Sequence, residues 1–220
     1  MNSPKIINYE LRPAKFTERK MLLASLVNIC QYYRAKFQYI VFGGVSFTDF
    51  KLFHKELHIN EMISIEGGDK IPQARVKFNK PYSFIKLNFD KSTSILPTLN
   101  LTNKSIVWLD YDDDFDSSMF DDISILFSKL PKGSIYIVTC NRQLKDKDTG
   151  KEYNVDAFRE KFGTNAPFNL KNIDFSGENN FITIRKILHK AIKSNLDSRA
   201  KFAEKLKFHQ LFNFLYQENG

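Results

Sequence analysis

Residues 39–66 read YIVFGGVSFTDFKLFHKELHINEMISIE, and this stretch decides the fold. An apolar run, YIVF, leads into Gly43 and Gly44, and Phe50, Leu52, Phe53 and Leu57 then supply the apolar side of a helical segment. A second apolar run, MISI, closes on Glu66. Short apolar runs without alternation suit strands covered on both faces, as central parallel strands are. Two such strands joined by one helix form a right-handed βαβ unit. The pattern predicts a strand over 37–42, a helix over 45–57 and a second strand over 62–65. Paired glycines after the first strand let the backbone turn sharply and approach a ligand with no Cβ in the way. In nucleotide-type α/β folds an acid at the end of the second strand accepts the hydroxyls of a ribose. Glu66 stands at that place, with Gly67 and Gly68 leaving room beside it.

The same rhythm of strand, polar tip and helix repeats downstream. A third strand is expected over 82–87 (YSFIKL), ending at Asn88, Phe89 and Asp90. A fourth, 105–109 (SIVWL), closes on Asp110, Tyr111 and Asp112, and a fifth over 134–139 closes on Cys140 and Asn141. A helix over 117–130 separates those two. Ligands of open α/β sheets bind beyond the C-terminal strand ends. Gly43, Gly44, Glu66, Asp90, Asp110 and Asn141 are therefore expected to face one crevice.

The expected architecture is an α/β three-layer Rossmann-like sandwich. Its sheet is mostly parallel and twisted, in order 3-2-1-4-5 plus a C-terminal strand. Residues 1–35 form an N-terminal arm and helix, and 36–142 the Rossmann-like core. Residues 143–220 add a lid or insertion with a short helix near 155–162, a basic helix over 181–195 and a terminal strand over 208–216. The chain stops on what reads as a hairpin turn, so a last partner strand is expected to be missing.

With 220 residues, 42% of them hydrophobic and 21 of them Phe, the chain can bury a sizeable core as one elaborated domain. No apolar run reaches membrane-spanning length and residues 1–15 lack an apolar signal core, so no membrane partner and a cytoplasmic location are expected. Cys30 and Cys140 sit in apolar surroundings and read as inert thiols. The net charge of +8 permits attraction to nucleic acid, with Arg185, Lys186 and Lys190 on the basic helix as its candidates. Arg12, Lys15, Arg19 and Lys20 gather at the start of the first helix, against its dipole; exposed charges there cost little, and the alternative is an anion nearby. His54 and His58 lie four apart, but His-Lys-Glu-Leu-His is not the zinc pattern His-Glu-x-x-His, and the crossover helix lies away from the strand tips.

This arrangement resembles the class I S-adenosylmethionine-dependent methyltransferases. Gly43 and Gly44 match their turn after the first strand, and Glu66 the acid for the cofactor ribose. Asp90 matches the polar residue for the adenine, and Asp110 the group that faces the substrate. The segments RPAKFTERKMLL, GGVSFTDFKLFHKELHINEMISIE, FNKPYSFIKL, IVWLDYD and QLFNF look like a bacterial family described as "putative O-methyltransferases". The resemblance implies methyl transfer from S-adenosylmethionine, with oxygen as the favoured acceptor and Asp110 or Asp112 as the base. Metal-dependent relatives carry an Asp-Asn pair after the fifth strand; only Asn141 is present here, so Mg2+ is the disfavoured alternative and no metal ligand is assigned. FGGVSF also lacks the three-glycine pattern of typical cofactor loops. The rival reading is a non-catalytic module that holds nucleic acid or a protein partner.

Overall fold

The computed structural model describes residues 13–67, 72–111, 115–146 and 149–216. Asp112, Gly68, Arg12 and the terminal turn at 217–220 lie outside the described residues. Five strands form one sheet in the order β3-β2-β1-β4-β5: β1 Phe37–Phe42, β2 Glu61–Ile65, β3 Ile85–Asn88, β4 Lys104–Asp110 and β5 Ile135–Thr139. The β1–β2, β1–β4 and β2–β3 pairings are all parallel, with the short helices α3 (Gln73–Asn79) before β3 and α4 (Ser92–Ile95) after it in the chain. This is the expected Rossmann-like order.

The chain divides into two compact units. The first comprises Met1–Leu109, Pro131–Ile137 and Phe212–Gly220. Its core begins with β1, where Phe37, Tyr39, Ile40 and Val41 are all buried. Tyr39 stacks on Phe53 of α2 (Thr48–Leu57) at 4.4 Å between ring centres, and Phe53 meets Trp108 of β4 at 6.1 Å. Phe50 and Phe53, one turn apart, thus turn the apolar face of α2 onto the sheet. One polar pair is buried inside this unit: Gln38 Nε2 donates to Ser105 Oγ at 2.8 Å and to the Asn100 carbonyl, so the amide is satisfied.

The first helix, α1, begins earlier than its Thr17 cap signal predicts. It spans Pro13–Tyr33, and the Thr17 hydroxyl donates back to the Pro13 carbonyl instead of capping. Proline is well placed in a first turn, where its missing N–H costs nothing. The anion invited by the cations of this helix is Asp49 in the first turn of α2: Arg19 pairs with it through Nε and, at 3.0 Å, through Nη2. Arg19 is 2% exposed and lies over the Trp108 ring.

Residues 208–216 differ from expectation. They are apolar enough for a strand, yet no strand is formed among the described residues there. A strand exists through its ladder, and this segment is held by side chains instead. Phe214 packs on the core of the first unit, and the Tyr216 hydroxyl donates to Glu18 Oε2 at 3.2 Å.

The second unit comprises Asp110–Leu130 and Val138–Leu211. Here α5 (Ser118–Lys129) packs against α7 (Asn179–Arg199), and α6 spans Val155–Phe162 where a helix was expected. Asn154 caps α6 by accepting from the Ala157 N–H at 2.8 Å. The polar texture of 143–162 hides an aromatic cluster, in which Phe158 touches Phe115, Tyr153, Phe162 and Phe175. Asp146 closes the adjoining turn by accepting from the Thr149 N–H, the Tyr153 hydroxyl and Lys161.

Candidate functional site

The ends of β1, β2 and β3 are joined by backbone bonds that continue past the strands. The Gly43 N–H donates to the Ile65 carbonyl at 2.9 Å, and the Glu66 N–H to the Asn88 carbonyl at 2.8 Å. These bonds fix where each tip residue stands. Gly43, Glu66 and Asn88 therefore line up across one edge of the first unit.

Gly43 is needed for space, not for backbone conformation, since it is not among the glycines with positive φ. A Cβ at this position would overlap the Glu66 carboxylate and the Ser64 hydroxyl. The close approach that a glycine permits here is thus made by the acid of the neighbouring strand. Gly44 differs, for a Cβ there would meet nothing within 4 Å. A Cβ on Gly67 would stand 3.8 Å from the Asp90 carbonyl, an ordinary contact.

Ser64 belongs to this site and the sequence reading missed it. Its hydroxyl donates to Glu66 Oε1 at 2.6 Å, and its side chain is fully buried. The signal was present in the spacing, because residues two apart on a strand share a face. Burial pushes the Glu66 carboxyl above the ordinary carboxylate range, and the Ser64 hydroxyl opposes that rise. Among the described residues Ser64 is the donor on this carboxylate, which leaves Oε2 and a lone pair of Oε1 for a further one. A pair of vicinal hydroxyls is such a donor.

Asp90 is exposed at the end of β3, and its Oδ1 accepts from the Lys91 N–H at 2.6 Å, just ahead of α4 (Ser92–Ile95). That bond orients the carboxylate and uses one of its two oxygens.

The turn from Gly44 to α2 is held by a residue other than glycine. Phe47 adopts φ 50° and ψ 30°, and its N–H donates to the Gly44 carbonyl at 3.1 Å. A bulky residue in the left-handed region costs about 1–2 kcal/mol. Burial of its ring against Phe50 offsets this and fixes the loop. The absent three-glycine pattern thereby finds its explanation: the loop is anchored by an aromatic ring.

In the second unit, Asp110 ends β4, and the Tyr111 N–H next to it donates to the Thr139 carbonyl at 2.8 Å. The Tyr111 hydroxyl donates to Asp122 Oδ2 of α5 at 2.6 Å. Cys140, after β5, has its thiol pushed up to about 12, first by burial and then by the Asp110 carboxylate. It is not a nucleophile at neutral pH. On the basic helix, Lys190 donates to the Thr164 and Ala166 carbonyls at 2.6 Å each, so this cation serves the unit's own structure. Among the described residues no helix is long and apolar enough to cross a membrane.

Among curated proteins none matches the chain. Seven solved chains do, and one described as "PigF with SAH" is 14% identical with a TM-score of 0.37. The match covers 62% of this chain and 48% of that one, so the chain spans about half the length of that structure. The fold assignment rests on the strand order and pairing, not on this likeness. A family model described as "Putative O-methyltransferase" matches residues 7–220, and the chain belongs to that family.

Proposed function

We propose that the protein is an S-adenosylmethionine-dependent methyltransferase that acts on an oxygen acceptor. The observation that carries this reading is the Glu66 carboxylate, held by Ser64 over Gly43 at the joined tips of β1 and β2, in a chain of this family. A carboxylate with oxygens left for vicinal hydroxyls suits the ribose of the cofactor, so the residues present fit the group. In this reading Gly43 and Gly44 are assigned to the approach of the cofactor and Asp90, exposed after β3, to its adenine.

S-adenosylmethionine, when bound, supplies an electrophilic methyl group on a sulfonium. The chain's own contribution is alignment, worth several orders of magnitude when reacting atoms are held together. A hydroxyl acceptor gives up a proton as it is methylated, and Asp110 at the end of β4 is the candidate base for it. Asp112, outside the described residues, is the second candidate.

Calorimetric titration with S-adenosylmethionine and with its demethylated product tests the reading. Binding by the parent chain, weakened at least about tenfold in Glu66→Ala, is the expected result. No binding, or binding indifferent to Glu66, overturns it.

A further inference from the structure

An open groove of about 470 Å³ runs beside α2, lined by Lys51, His54, Lys55, His58, Asn60 and Tyr82. It lies within the first unit, at the opposite edge of the sheet from the candidate crevice. Asn60 immediately precedes β2 and Glu66 immediately follows it. At about 3.3 Å per strand residue the two are roughly 20 Å apart.

Among the described residues every ionisable side chain lining this groove, apart from the Tyr82 phenol, is basic. Lys51 and Lys55 stand four apart on α2, so like charges face each other across one turn. Glu56 comes within 3.8 Å of Lys55, a loose and exposed pairing, and does not line the groove. The helix dipole favours His54 and Lys55 in the last turn of α2. It does not account for Lys51 or for the groups opposite.

Those groups are aromatic and well fixed. Tyr82 stacks on Phe84 at 5.0 Å, and the His54 ring leans on both at 4.6 and 4.9 Å. His54 Nδ1 lies 3.1 Å from the Ile59 carbonyl, which can only accept, so Nδ1 carries a proton and the ring orientation is set. Two ammonium groups, a second imidazole and an amide therefore flank an open groove with an ordered aromatic wall. A volume of this size suits a small ligand of nucleotide dimensions. Ammonium groups and imidazole N–H groups are donors for a doubly charged oxyanion.

We propose that this groove binds a phosphomonoester of nucleotide size, as a site separate from the methyltransferase crevice. Adenosine monophosphate, inorganic phosphate and adenosine are the probes, titrated into the full chain by calorimetry. The monophosphate binds, inorganic phosphate competes with it, and adenosine does not. Lys51→Gln with Lys55→Gln, both exposed and so harmless to folding, weakens the monophosphate at least about tenfold. Glu66→Ala leaves it unchanged. In nitrogen-detected spectra the His54 and His58 ring signals shift on titration with the monophosphate. No binding of the monophosphate overturns the proposal. So does binding lost in Glu66→Ala or displaced by adenosine, which places the probe in the strand-tip crevice instead. Binding of a single-stranded oligonucleotide without binding of the monophosphate overturns it as well. Because the crevice is read separately through Glu66, failure of either site leaves the other standing.

Discussion

The Glu66 carboxylate occupies the space that a side chain at Gly43 would need. The acid at the end of β2 and the first glycine after β1 are thus one packed unit. Gly43→Ala must push Glu66 and Ser64 aside, and overpacking of this kind costs about 1–3 kcal/mol. The variant should melt lower and bind S-adenosylmethionine several-fold more weakly, because its carboxylate is displaced. Gly44→Ala is the control, with open space around it. Its stability should stay within about 0.5 kcal/mol of the parent. Equal losses from the two substitutions, measured by denaturant unfolding, would contradict the packing described.

The Glu66 carboxyl gives a pH signature whose sign follows from its raised position. A group that holds its proton more tightly folded than unfolded favours folding at low pH. That contribution fades as pH rises through the folded value. Glu66→Gln removes the titration while keeping an acceptor for the Ser64 hydroxyl. The variant should therefore gain stability relative to the parent as pH climbs from the acid side, then level off. Cofactor affinity of the parent runs the other way, since the ionised carboxylate is the better acceptor. It should begin to fall, on acidification, at a higher pH than an ordinary carboxylate would give. Thermal melts and titrations across pH check both slopes.

Much of this was legible in residues 39–66, because parallel strands covered on both faces write themselves as unbroken apolar runs. The strands followed from those runs and the tips from their ends, whereas the sheet order came with the resemblance to the methyltransferase fold. Ser64 escaped because a buried serine in MISI reads as a small core residue, although its alternation with Glu66 places both on one face. Phe47 escaped for a different reason: nothing local announces that an aromatic residue will sit in the left-handed region. Residues 208–216 misled because apolar content alone makes no ladder: Phe214 packs on the core, while Leu211, Phe212 and Leu215 stay exposed. The cations of α1 left solvated charges and a nearby anion both open, because the anion that Arg19 meets is Asp49, thirty positions away in sequence.

Cys140 should be chemically silent in the folded protein. With its thiol near 12, thiolate is scarce at any pH below that value. Burial also raises the Cys30 thiol. Iodoacetamide at pH 8 should leave both unmodified over a time that fully alkylates the denatured chain, and mass spectrometry of the digest reads each site separately. Rapid native labelling of Cys140 would show that the region after β5 is open.

Arg19 and Asp49 offer a test of how the loop after β1 is held. Arg19 is buried, so its charge is tolerated through Asp49, the Lys15 carbonyl and the Trp108 ring. Removing one partner of a buried ion pair leaves a stranded charge, at a cost of about 3–5 kcal/mol. Asp49→Asn retains an acceptor for the guanidinium and should fall at the lower end. Asp49→Ala should fall higher. Arg19→Met fills similar volume without charge, and in the Asp49→Ala background it should cost less than it does alone. A double-mutant cycle by urea unfolding measures that coupling. Additive losses would mean that the pair is two independent contacts, and that α1 does not brace the first turn of α2.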